Sequence, residues 1–294
     1  MKRQVAVPVI VALLLVAAVL VVYAVTGLTG RGQPGNVAGS ADSGGIAPRS
    51  TRWALHDAAR AGDAGGLQRE IAQGADVNAA LPAGSLTGVS RVGVTPLMLA
   101  AESGSLDAVR TLLTAKADPD RKAEDGWTAL MVACASPLSP AVEAIIAAGA
   151  GIDEKSAAGQ TALMLAASAR HSAKVIALLN AGATVDVADG AGATALALAA
   201  SGSGPAAAAP APADALRALL EAGANPNAPD AAGLTPLMRA AARDDVEAVI
   251  ALLDHGATVD SRSAVGKSAL DYAQAMSATK KVACVPVLVD AGAN

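Results

Sequence analysis

Three histidines (His56, His171, His255) and two cysteines (Cys134, Cys284) are the side chains best suited to nucleophilic, acid–base or metal chemistry. No two of them stand at metal-ligand spacing. No Gly-x-Ser-x-Gly elbow, phosphate loop or dinucleotide fingerprint accompanies them. His171 falls between two expected helices. His255 precedes a helix-ending Gly, where an imidazole meets the negative end of the helix. Cys134 sits at a small-residue position of an Ala-rich helix, the place of a packed thiol. With 22 basic against 26 acidic residues the net charge is −4, which gives no bulk case for nucleic acid. Two cysteines exclude a disulfide-stapled scaffold. The expectation is a chain that is not an enzyme, with no metal, no cofactor, no nucleic acid and no small-molecule substrate.

The elements that hold these residues repeat. Gly-x-Thr-x-Leu recurs as Gly93-Val-Thr-Pro-Leu97, Gly126-Trp-Thr-Ala-Leu130, Gly159-Gln-Thr-Ala-Leu163, Gly192-Ala-Thr-Ala-Leu196 and Gly233-Leu-Thr-Pro-Leu237, then as Gly266-Lys-Ser-Ala-Leu270. The Thr/Ser positions are spaced 33, 33, 33, 41 and 33 residues apart. Thr or Ser before an apolar run is a helix start, with Pro96 and Pro236 at first helical positions. A second helix carries Val109, Leu112 and Leu113 at helical spacing. Gly149, Gly182, Gly223 and Gly256 then end it in a left-handed conformation, where Lys116 is expected to cost about 1 kcal/mol. Ser139-Pro140 is expected to cap and begin the second helix of the third unit. The chain is 53% hydrophobic yet 1% aromatic, without Phe, as suits helices packed closely through Ala.

With Gly-Ala-Asp-Val-Asn78 and Gly-Ala-Asn-Pro-Asn227 closing their units, these motifs resemble the ankyrin repeat. The resemblance covers seven units over residues 51–294. It implies an all-α solenoid of helix-turn-helix repeats with short β-turn fingers. It also implies a structural hydrogen bond at His56, and four repeats between Cys134 and Cys284, too far for a disulfide. Met98, Met131, Met164 and Met238 stand where the family often has His, as inter-repeat packing or as an adaptable binding stripe. Nine extra residues lie around 80–91 in the first finger, and eight around 201–213 between the helices of unit five.

Ahead of the repeats, Val5–Val25 is 21 residues without a charge, preceded by Lys2 and Arg3. It reads as a transmembrane helix over 1–25, with Lys2 and Arg3 on the cytoplasmic side. The rival is a signal peptide cleaved after Val22-Tyr23-Ala24. Residues 26–50 are a Gly/Ser/Pro-rich linker. The Ala/Gly/Val-rich composition and short basic N-region fit a bacterium. Localisation is then the inner membrane, single-pass, with residues 51–294 in the periplasm. The alternative is secretion after cleavage. Two unpaired thiols are unusual in an exported chain.

Ankyrin repeats bind proteins through finger tips and the exposed side of the first helices. Carried onto this sequence, those places are Leu86, Arg91, Val94, Glu102, Ser103, Glu124, Trp127, Gln160, Leu234, Arg239 and Arg243. Trp127 leads, either as an interface anchor or packed flat against a neighbouring finger. The expected function is a membrane-tethered scaffold for a protein partner. The alternatives are an inhibitor or immunity protein that blocks an enzyme, or a self-assembling structural element.

Overall fold

The computed structural model describes residues 53–82, 91–137, 139–202, 214–276 and 283–293. The apolar run 5–25, the linker 26–50 and Leu86 lie outside the described residues. Among the described residues no helix is long and apolar enough to cross a membrane.

Fourteen helices form seven successive pairs among the described residues. They are α1 (Ala54–Ala61) with α2 (Ala64–Ala72), α3 (Pro96–Ser103) with α4 (Leu106–Thr114), and α5 (Ala129–Ala135) with α6 (Val142–Ala147). Then come α7 (Ala162–Ser168) with α8 (Ser172–Asn180), and α9 (Ala195–Ser201) with α10 (Asp214–Glu221). The last are α11 (Pro236–Ala241) with α12 (Val246–Asp254), and α13 (Ala269–Met276) with α14 (Cys284–Asp290). First helices stack on first helices and second on second, so the core runs between two parallel rows.

The expected caps form. Thr95, Thr128, Thr161, Thr194 and Thr235 are extended, and each hydroxyl accepts the backbone N–H three residues on at 3.3–3.4 Å. Ser268 and Asp271 make a reciprocal version. Asp271 N–H donates to the Ser268 hydroxyl at 3.2 Å, and Ser268 N–H donates to the Asp271 carboxylate at 2.7 Å. Unit three departs from expectation. Ser139 does not cap α6, which starts at Val142 after Ala141, and the buried Ser139 hydroxyl has no partner among the described residues. Val142 and Ile145 occupy the buried register of Val109 and Leu112, while Pro140 disfavours helical backbone at Ser139. The helix therefore keeps its core pair and loses its first turn.

Leu97, Leu130, Leu163, Leu196 and Leu237 are buried from the first helices, and Leu67, Leu112, Ile145, Leu178, Leu219, Leu252 and Leu288 from the second. Each such side chain is worth about 1.5–3 kcal/mol. Ala100, Ala133, Ala166, Ala199 and Ala240 are buried beside them, where nothing larger fits between stacked helices. Met98, Met131, Met164 and Met238 are each 1% exposed. They are core packing, and the binding-stripe reading falls.

Between pairs the chain makes fingers. At the second finger, Ala123 N–H donates to Trp127 carbonyl at 2.9 Å and Gly126 N–H to Ala123 carbonyl at 2.9 Å. The next finger then docks, with Ala157 N–H on Asp125 carbonyl at 2.9 Å. Gly126 has φ 78°, and a Cβ there would stand 2.7 Å from Ala157 N. Both conformation and approach exclude a side chain. Gly159, Gly192 and Gly233 are placed alike. Gly149, at the end of α6, has φ 89° but open space around it. Lys116 takes this left-handed conformation with φ 68°.

These differences rank three substitutions. Gly149→Ala costs about 1 kcal/mol, for conformation alone. Gly126→Ala costs about 2–4 kcal/mol, because strain and backbone overlap add. Lys116→Gly stabilises by about 1 kcal/mol. Urea midpoints at constant slope check the order, and equal losses for the two Ala variants would remove the close-approach argument.

Candidate protein-binding surface

A surface side chain is positioned here by its finger. Asp125 holds the second finger tip: one carboxylate oxygen accepts Trp127 N–H at 3.2 Å, the other accepts Arg91 Nε at 2.6 Å. The Arg91 guanidinium lies 4.0 Å from the Trp127 ring centroid. The indole is thus half-buried, with Arg91 on its ring and the core against its edge of the finger. The Arg91 and Asp125 side chains are 28% and 43% exposed, so the ion pair contributes only about 0.2–1 kcal/mol. The cation–π contact adds a similar amount. Such energies hold an orientation; they do not hold the fold. Asp125 was missed in the sequence, although its place before Gly126 is a turn position.

A second cluster sits at unit six. Arg239 pairs with Asp230 and donates to Ser201 Oγ at 2.7 Å, while its buried Nε has no partner among the described residues. Asp230 organises that finger by accepting from Ala232 N–H at 2.8 Å and Leu234 N–H at 2.9 Å. Of the remaining candidates, Glu102, Ser103, Glu124 and Arg243 are exposed and Gln160 is partly so. Leu234 is partly buried against the core. Val94 must be withdrawn from the surface. It is 4% exposed, because its carbonyl accepts Leu81 N–H at 2.9 Å and the resulting bridge turns its side chain inward. Exposed apolar residues lie elsewhere: Ile176, Ile250 and Val289 on second helices, and Val265 on the sixth finger. Ile176 and Ile250 each follow a buried valine, one step off the helix's apolar face, which was a readable signal.

The chemistry-bearing residues are structural. His56 is buried and donates through Nε2 to Ala79 carbonyl at 2.9 Å, as the resemblance implied. His171 Nδ1 donates to Cys134 carbonyl at 3.1 Å, and Lys174 Nζ donates to the Ala133 carbonyl at 2.7 Å and to Ser136 carbonyl. Imidazole and ammonium therefore serve the carbonyls at the end of α5. Burial pushes the Cys134 thiol up to about 12; burial, with a hydrogen bond to Asp244, does the same for Cys284. Burial holds Lys174 below the usual lysine range. Among the described residues no three His, Cys, Asp or Glu converge as metal ligands. An open groove of about 600 Å³ lies between α2 and α4, and one of about 410 Å³ between α6 and α8; neither is lined by His or Cys.

At pH 8 a thiol titrating near 12 is ionised to only about one part in ten thousand. Neither cysteine should react with a maleimide until the chain is unfolded; labelling of the folded chain would refute this. Burial also holds His56 and His171 below the ordinary 6.5. The unfolded chain then binds more protons just below 6.5, so stability is full above that pH and falls as pH drops through it. The urea midpoint should fall from pH 7.5 to 5.5, and fall less in a His56→Gln/His171→Gln variant.

The model for ankyrin repeats matches residues 55–156, 135–230 and 205–294. The crystal structure of the human ASB11 ankyrin repeat domain is similar, at 27% identity and a TM-score of 0.66. That match covers 82% of this chain and 98% of the other. No curated protein matches the chain. With family matches spanning its seven helix pairs, the chain belongs to the ankyrin-repeat family.

Proposed function

We propose that this chain is a non-catalytic scaffold that binds a protein partner through its finger edge. Ankyrin repeats are protein–protein interaction scaffolds. The observation that carries this assignment to particular residues is the Arg91–Asp125–Trp127 cluster. It combines a large half-exposed indole, locked in orientation, with the exposed carboxylate of Glu124 on the same finger. Pre-ordering an aromatic anchor removes side-chain entropy that binding would otherwise cost. A partner that fits brings an apolar or planar group onto the Arg91–Trp127 stack and a cation toward Glu124.

The scaffold is tethered. The uncharged run Val5–Val25 behind Lys2 and Arg3 supports a single inner-membrane span, and the Gly/Ser/Pro-rich residues 26–50 support a flexible linker, in a bacterial chain displayed in the periplasm. A linker of about 25 residues spans roughly 25–30 Å. It would concentrate the finger edge near the membrane.

Capture from crosslinked membranes tests the surface. The full chain should recover a partner that an Arg91→Ala/Trp127→Ala variant loses at least tenfold, while circular dichroism shows that the variant keeps its helices. Equal recovery would remove these residues from the interface. For the tether, a reporter active only outside the cytoplasm, fused after Asn294, should be active; an expressed but silent fusion would reverse the orientation.

A further inference from the structure

In a repeat array each unit contacts only its neighbours, so coupling passes from one unit to the next. Unit five interrupts this. Its first helix α9 ends at Ser201, and Gly202 leaves in an extended direction (ψ 136°) where units one and two turn through left-handed Gly62 and Gly104. Eight extra residues follow in the sequence before α10. Arg170 of unit four reaches this end of α9.

Arg170 lies just after α7, with φ 55° and its side chain 4% exposed. Its Nε donates to Ala199 carbonyl in α9 at 3.2 Å. Its Nη2 donates to Asp245 Oδ2 in unit six at 2.7 Å. Gly202 makes way for the crossing, since a Cβ there would meet Arg170 Nε at 2.7 Å and Cγ at 2.8 Å. The Asp245 side chain is 15% exposed, and its other oxygen caps α12 by accepting Ala248 N–H at 3.1 Å. Beside it Asp244, with φ 59°, accepts Cys284 N–H at 2.9 Å at the head of α14. Arg170 and Asp244 are non-glycine residues held left-handed, a strained conformation that persists where surrounding contacts over-determine it.

We infer that Arg170 and Asp245 form a strut that couples unit four directly to unit six across the interrupted unit five, so that these units open as one body. The pair is desolvated, and removal of either partner leaves the other buried and uncompensated. Opening unit six alone strands the guanidinium of unit four, and opening unit four alone strands the carboxylate of unit six.

Native-state hydrogen exchange on the full-length chain tests the strut. Arg170→Met removes the guanidinium, and Asp245→Asn keeps a capping oxygen while removing the charge. Each should raise the opening constants of α8 and α12 amides together, by about a hundredfold, although each alters only one unit. The double variant should add less than threefold to either single one, the signature of a shared interaction. Faster exchange confined to the substituted unit, or effects that multiply in the double variant, would overturn the inference. Should Arg170→Met fail to fold, Asp245→Asn alone decides: unchanged α8 exchange refutes the strut.

Discussion

From the second finger on, each finger brings its backbone close enough to donate a hydrogen bond to the finger before it, and that approach leaves no room for a Cβ at Gly126, Gly159, Gly192 or Gly233. The bonds Glu124 to Val92, Ala157 to Asp125, Gly190 to Ala158, Ala231 to Ala191 and Ala264 to Ala232 form one ladder at 2.9–3.0 Å. A second ladder runs past the ends of the second helices. Side-chain oxygens of Asn78, Asp120, Asp153, Asp186 and Asn227 accept the N–H of Asp118, Gly151, Thr184, Asn225 and Thr258 in the following units, at 2.7–3.0 Å. Two fixed points per unit dictate the distance between neighbouring helices. That distance selects Ala and Leu between them and leaves no use for Phe. Extra residues can therefore enter only between the anchored points, which is where the 41-residue interval finds its surplus.

This constraint explains what could be read from the sequence. The threonine caps, the left-handed helix ends and the conformation of Lys116 depend on local backbone, and local backbone repeats with the motif. The failure at Ser139 has a tertiary cause: the register of Val142 and Ile145 in the core outweighs a good capping dipeptide. Val94 failed for a related reason. Position in a finger suggested exposure, but the bridge to Leu81 turned it inward. The Arg91–Trp127 stack joins residues 36 positions apart and follows no repeat period. Only the packed first and second fingers reveal it. Recognition residues are hard to read because the ladders use main chain, Asx side chains and small residues. Almost any side chain is then compatible with the outward positions of the fingers and first helices.

Irregular units show how the array tolerates missing pieces. In units one and two the first helix ends at a left-handed glycine, which turns the chain and satisfies terminal carbonyls. In units three and five that glycine turn is absent, and α5 and α9 end at residues with extended ψ, Ser136 at 129° and Gly202 at 136°. Both lie beside unit four, and unit four supplies cations to both. Lys174 donates to Ala133 and Ser136 carbonyls on one side, and Arg170 donates to Ala199 carbonyl on the other. A cation at a helix C-terminus meets the negative end of the dipole and replaces the bonds the turn would have made. Arg170 keeps a further donor for Asp245, which an ammonium in its place could not aim with the same fixed geometry. The departures from the repeat pattern are therefore coupled. Two units could lose their regular turns because the unit between them carries a lysine and an arginine where the family motif asks for neither.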